Sequence, residues 1–95
     1  MPPRLEWRTP ARKDLLDIMA FIADDAPDAA QALKDEIETK VATLPAHSRL
    51  YKTSRRVSGL REFVVQRHYV VLYRETPELV EIVVIVHARR QWPPK

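Results

Sequence analysis

Apolar positions change their spacing along the chain, and each change marks a different kind of element. Leu5-Glu6-Trp7 alternates apolar with polar, the period of a strand with one covered face. It runs into Thr9-Pro10, where a hydroxyl suited to capping precedes a proline suited to the first helical turn. Leu15, Ile18, Met19 and Ile22 then recur at helical spacing, opposite Arg12, Asp14, Asp17 and Asp24. This predicts an amphipathic helix ending near Asp25. A second helix is predicted from Pro27-Asp28 toward Leu44, with Ala30, Leu33, Ile37, Val41 and Leu44 on one face and Pro45 as its stop. So short a joint predicts an antiparallel helical hairpin.

Residues 46–59 have no clear period and contain Ser48, Ser54, Ser58 and the only glycine, Gly59. With Arg49, Lys52, Arg55 and Arg56 they read as a basic loop. Leu60 to Gln66, Tyr69 to Arg74 and Val80 to Val86 are rich in Val, Ile, Tyr and Phe and predict three strands. A two-residue step at Arg67-His68 and a turn around Glu75-Thr76-Pro77-Glu78 make both connections antiparallel. The order is β-α-α-β-β-β, an α+β domain with the helical hairpin packed on a mainly antiparallel sheet.

The last strand poses a problem of cover. It is apolar at nearly every position from Val80 to Val86, which asks for shielding on both faces, while two helices shield only one. Either the sheet curls over its own side chains, or Trp92 and a partner segment lie across the second face.

Length and charge narrow the class. A chain of 95 residues suits one core, so residues 1–95 are read as a single domain. Cysteine is absent, which excludes disulfides, thiolate metal sites and a catalytic thiol. There is no apolar run of signal-peptide or membrane-spanning length, so a cytoplasmic protein without a membrane partner is expected. The net charge of +3 divides unevenly: residues 1–45 carry 6 basic and 9 acidic side chains (−3), and residues 46–95 carry 10 and 4 (+6). The basic half is expected to face an anionic partner, protein or nucleic acid.

Four pieces in order carry a family resemblance. They are Ala11-Arg12-Lys13-Asp14-Leu15-Leu16-Asp17-Ile18 after Trp7, Gly59-Leu60-Arg61-Glu62, Tyr69 to Arg74, and His87-Ala88-Arg89-Arg90-Gln91-Trp92-Pro93. Together they span nearly the whole chain, and it resembles the RelE/ParE superfamily of type II toxins, with an ending closer to the ParE side. The resemblance implies the toxin of a toxin–antitoxin pair, associated with plasmid stabilisation and bound by a cognate antitoxin. RelE-like members cut mRNA on the ribosome, whereas ParE-like members poison DNA gyrase. The nuclease strand reads Tyr-Arg-Leu-Val-Tyr, and its arginine stabilises the anionic transition state. Here Val70 stands at that position, and an aliphatic side chain donates nothing to a phosphate. A gyrase-directed toxin that is not an enzyme is therefore expected, with ribosome-dependent mRNA cleavage as the alternative and a bare nucleic-acid-binding module as a third reading.

Candidate residues follow from these readings. For binding a target or antitoxin they are Arg89, Arg90, Trp92, Arg61, Arg55, Arg56 and Lys52. For a nuclease they would be His87, Arg89, Arg61 and Lys52, with His87 as acid or base. Each has a plainer role: His87 as a cap on the sheet end, Arg89 or Arg90 paired with Glu62 or Asp17, Trp92 as a packing plug, Arg61 in a cross-strand ion pair, and the loop cluster Arg49, Lys52, Arg55 and Arg56 as a solvated basic face. His47 and His68 lack carboxylates at ligand spacing and are expected in solvent. Neither a metal nor a cofactor is expected.

Overall fold

The structure, a computed structural model, describes residues 1–90, 92 and 93. Strand β1 (Arg4–Trp7) leads into helices α1 (Thr9–Ala23) and α2 (Pro27–Ala42), followed by strands β2 (Arg61–Val65), β3 (Tyr69–Glu75) and β4 (Leu79–His87). The predicted α+β order holds. One open sheet has the strand order β1-β4-β3-β2, antiparallel except for the parallel pairing of β1 with β4. Among the described residues no helix is long and apolar enough to cross a membrane.

The helical hairpin buries Ala11, Leu15, Leu33, Ile37 and Val41 against Phe63, Val65, Val71, Tyr73, Val80, Ile82 and Ile85. Each Val, Leu, Ile or Phe side chain among them contributes about 1.5–3 kcal/mol on full burial. Several local expectations shift. Thr9 is the first helical residue and caps nothing; Arg8 stands at the cap position without a side-chain bond, so the proline alone marks this start. The second helix ends at Ala42, before Pro45, yet Leu44 stays fully buried in the turn that follows. The β2–β3 connection spans three residues, Gln66 to His68, with Gln66 and Arg67 at φ 51° and 65°, a left-handed pair that reverses the chain.

A β-bulge resolves the cover problem of β4. Leu72 pairs with Val84 but Tyr73 pairs with Ile82, so Val83 is an extra residue on β4. Side-chain parity flips across such an insertion. Val80 and Ile82 face the helices before it and Ile85 does so after it, while Val84 and Val86 turn to the other face. There they join Leu60, Val70 and Leu72 in a second, smaller core, covered by Val57, Ala88 and Trp92. Trp92 does cover this face, joined by the basic loop.

Candidate functional site

Two segments cross the second face of the sheet, the basic loop before β2 and the chain after β4, and a polar network joins them. Glu62, buried to 8 % exposure, accepts the Ser54 hydroxyl at 2.6 Å. The same Ser54 oxygen accepts the backbone N–H groups of Arg56 and Val57. With its backbone held there, Arg56 donates to the carbonyl oxygens of Ala88 (2.8 Å) and Arg90 (3.0 Å). A planar guanidinium suits two acceptors on one strand of chain. Gly59, at φ +88°, turns the loop into β2 in a conformation that only glycine adopts without strain.

Each member of the Gly59-Leu60-Arg61-Glu62 run thus has a separate structural task. Gly59 turns the chain, Leu60 fills the second core and Glu62 anchors Ser54. Arg61 donates to the Tyr51 carbonyl at 2.7 Å and approaches Glu75 at 3.7 Å, with its side chain only 21 % exposed. Its plainer cross-strand role is the one observed. Arg56 is likewise engaged within the fold, so both supply support to the surface, whereas Lys52 and Arg55 are exposed.

At the end of β4, the exposed His87 accepts the Arg89 N–H on Nδ1 at 3.2 Å, which leaves the Nε2–H tautomer for its neutral ring. His87 stacks on His68 at 5.9 Å between centroids and meets Tyr69 edge-on at 5.6 Å. His68 is in solvent as expected, but not alone. Arg89 and Arg90 are exposed, and neither pairs as anticipated: Glu62 is held by Ser54, and Asp17 by Lys13 at 2.7 Å. Among the nuclease candidates, His87 and Arg89 are linked only through the Arg89 backbone N–H, while Arg61 is held by Tyr51 and Glu75.

Beside Trp92 lies a trough of about 480 Å³. Leu60, Val57, Val84 and Val86 line it together with Arg8, Arg74 and Arg90. Arg8 and Arg74 approach Glu81 at 4.0 and 3.9 Å. Asp14 also lines the trough and accepts the backbone N–H of Ile85 on Oδ2 at 3.0 Å. The helical pattern assigned Asp14 to the outer face; instead it turns toward the sheet. Arg8, Arg74 and Asp14 escaped the sequence reading. Only Asp14 carried a signal, a carboxylate one turn before the partly buried Ile18.

The comparisons agree with this architecture. The family model described as the ParE toxin of the type II toxin–antitoxin system parDE matches residues 5–92. Protein Y4kP of Sinorhizobium fredii, named for a toxin role, is 36% identical over 91 residues, covering 95% of this chain and 93% of the relative. Among solved structures, the chromosomal ParDE system from P. aeruginosa superposes with a TM-score of 0.78 at 20% identity, covering 90% of this chain and 95% of that one. The RelBE2 toxin–antitoxin complex from Mycobacterium tuberculosis gives 0.60 at 23% identity, covering 95% of each chain. At these identities the two structures speak for the fold, and the sequence match over nearly the whole length speaks for the family. The chain therefore belongs to the ParE toxin family of type II toxin–antitoxin systems, within the RelE/ParE superfamily.

Proposed function

We propose that this toxin acts in the cytoplasm by binding DNA gyrase, without cleaving RNA, and that a cognate antitoxin neutralises it. The observation that carries the reading is the state of Val70. It occupies the strand position where the related nucleases have their transition-state arginine, and it is 2 % exposed within the second core. Val70 is packed there with Leu72, Val84 and Val86, and a buried aliphatic side chain cannot stabilise developing phosphoryl charge. Among the candidate residues, Lys52, Arg55, Arg89 and Arg90 remain exposed, and they suit recognition of an anionic protein surface. Arg56, Arg61 and Trp92 hold the segments that display them.

Purified protein added to a gyrase supercoiling reaction is expected to inhibit it, and primer extension after induced expression is expected to find no new mRNA ends. The ribosome-dependent nuclease reading would have to rest on His87 and on Arg89, whose backbone N–H bonds the His87 ring. New cuts on ribosome-bound mRNA that disappear in His87→Ala would replace the gyrase reading with that one.

A further inference from the structure

The chain turns directly after β4, and His87 holds that turn twice. Its carbonyl accepts the Arg90 N–H at 2.9 Å, which closes the turn over residues 87–90. Its ring accepts the Arg89 N–H on Nδ1 at 3.2 Å. A bond from a side chain to the N–H two residues on is the one that asparagine or aspartate makes when it opens a turn. His87 takes that place with an acceptor that can be protonated.

The other contacts of the turn do not change near neutral pH. The Ala88 N–H bonds the His68 carbonyl at 2.7 Å. The Arg56 guanidinium, charged at every ordinary pH, holds the carbonyl oxygens of Ala88 and Arg90. The Arg89 N–H alone depends on the state of a histidine. A neutral ring offers its Nδ1 lone pair, whereas an imidazolium carries a hydrogen on both nitrogens, so two donors face each other and the bond is lost. The surroundings do not offset the added charge. His68 stacks on His87 from the β2–β3 connection, and Tyr69 meets it edge-on from β3. Arg67 beside His68 and Arg89 two residues beyond His87 are exposed cations. Glu36 reaches the same connection only at Gln66, and among the described residues no carboxylate pairs with either ring.

We propose that His87 is a positioning residue for Arg89 and Arg90: its neutral ring orders the turn that displays them, and proton uptake releases the Arg89 backbone. Target binding then weakens as pH falls through the range in which histidine gains its charge. This sign is opposite to a simple charge effect, since a further cation by itself strengthens attraction to an anionic surface. The use of the turn in target binding rests on the gyrase reading; the latch itself does not.

The test follows the full chain, labelled with nitrogen-15, from about pH 8 to about pH 5.5, across the range where histidine changes charge. The Arg89 amide resonance is expected to move together with the carbon-bound ring protons of His87, at one midpoint. His87→Asn supplies an oxygen acceptor that does not titrate there, and should hold the Arg89 amide in place over the whole range. His87→Phe keeps a ring against His68 and Tyr69 but has no acceptor, and should show the released position throughout. An Arg89 amide that ignores the His87 titration, or that moves equally in His87→Asn, overturns the latch. Affinity for purified gyrase, measured at about 0.15 M salt where exposed charge is screened, reads the consequence. Acidification should weaken the parent about 3- to 10-fold, the worth of one ordinary hydrogen bond, leave His87→Asn unchanged and leave His87→Phe weak at both ends of the range. Tighter binding of the parent in acid, or parent-like binding by His87→Phe before acidification, would overturn the positioning role. A parent that never binds gyrase strikes the gyrase reading instead, and the Arg89 amide still decides the latch.

Discussion

Arg56 binds the carbonyl oxygen of Ala88 at 2.8 Å, and this contact joins the basic loop to the chain that follows β4 across 32 residues of sequence. Together with the bond to the Arg90 carbonyl, it holds Trp92 over the second core. Arg56→Ala should therefore destabilise the protein by about 1.5–3 kcal/mol, the range for hydrogen bonds to a charged group. For a domain of this size each 1 kcal/mol lowers the melting temperature by about 4–8 °C. Arg55→Ala, one position away and exposed, should cost less than about 0.5 kcal/mol. Equal melts for the two variants would contradict the clamp.

Replacing Arg89 and Arg90 together with alanine should abolish toxicity and leave the melting curve within about 0.5 kcal/mol of the parent, because both side chains are exposed and the Arg56 bonds reach backbone oxygens. A circular dichroism melt paired with a growth assay separates this outcome from a structural role, in which the melting temperature would fall with toxicity.

Val70→Arg would restore the nuclease residue in name only. The position is buried among Leu72, Val84 and Val86, and an unpaired guanidinium there should cost on the order of 3–5 kcal/mol. Urea unfolding should register most of the stability as lost, and primer extension should register no new cleavage. A stable Val70→Arg protein that cuts mRNA would mean that the second face opens readily.

Tyr73 supplies a pH dependence. Burial pushes its phenol above the usual tyrosine value, against the lowering influence of the nearby Arg61. A raised value in the folded state means that the folded protein keeps its proton longer than the unfolded chain does. The stabilisation is therefore complete below the ordinary tyrosine pKa of about 10 and is lost as pH rises through the higher folded value. Tyr73→Phe should lose the bond to the Ser48 carbonyl, about 1 kcal/mol at neutral pH, and show a shallower decline in alkali. An alkaline limb unchanged by Tyr73→Phe would contradict this assignment.

Association with the antitoxin should slow between low and high salt, because the charge of residues 46–95 steers an acidic partner and is screened over about 8 Å at physiological ionic strength. Stopped-flow mixing measures this directly, and a salt-independent rate would count against a steered encounter.

The elements were legible in the sequence because each is a local property of the chain. Helical spacing at Leu15, Ile18 and Ile22, the apolar face from Ala30 to Val41, and the three apolar runs after Gly59 fix side-chain direction within a few residues, so one period suffices to assign them. The family resemblance rested on equally local runs. What the periodicity of β4 could not show is that one face changes into the other halfway along. The extra residue at Val83 becomes visible only against its partners on β3, since a bulge is a property of two strands. The site was hidden for the same reason. Arg56, Arg61 and Arg89 are alike as letters in a basic stretch, yet two are held by carbonyls and a carboxylate that folding brings near, and the third stays in solvent. Sequence alone determined which segments become helix and strand and where charge accumulates. Tertiary structure decided which charges remain free, because a long side chain's partner is chosen by distance in space.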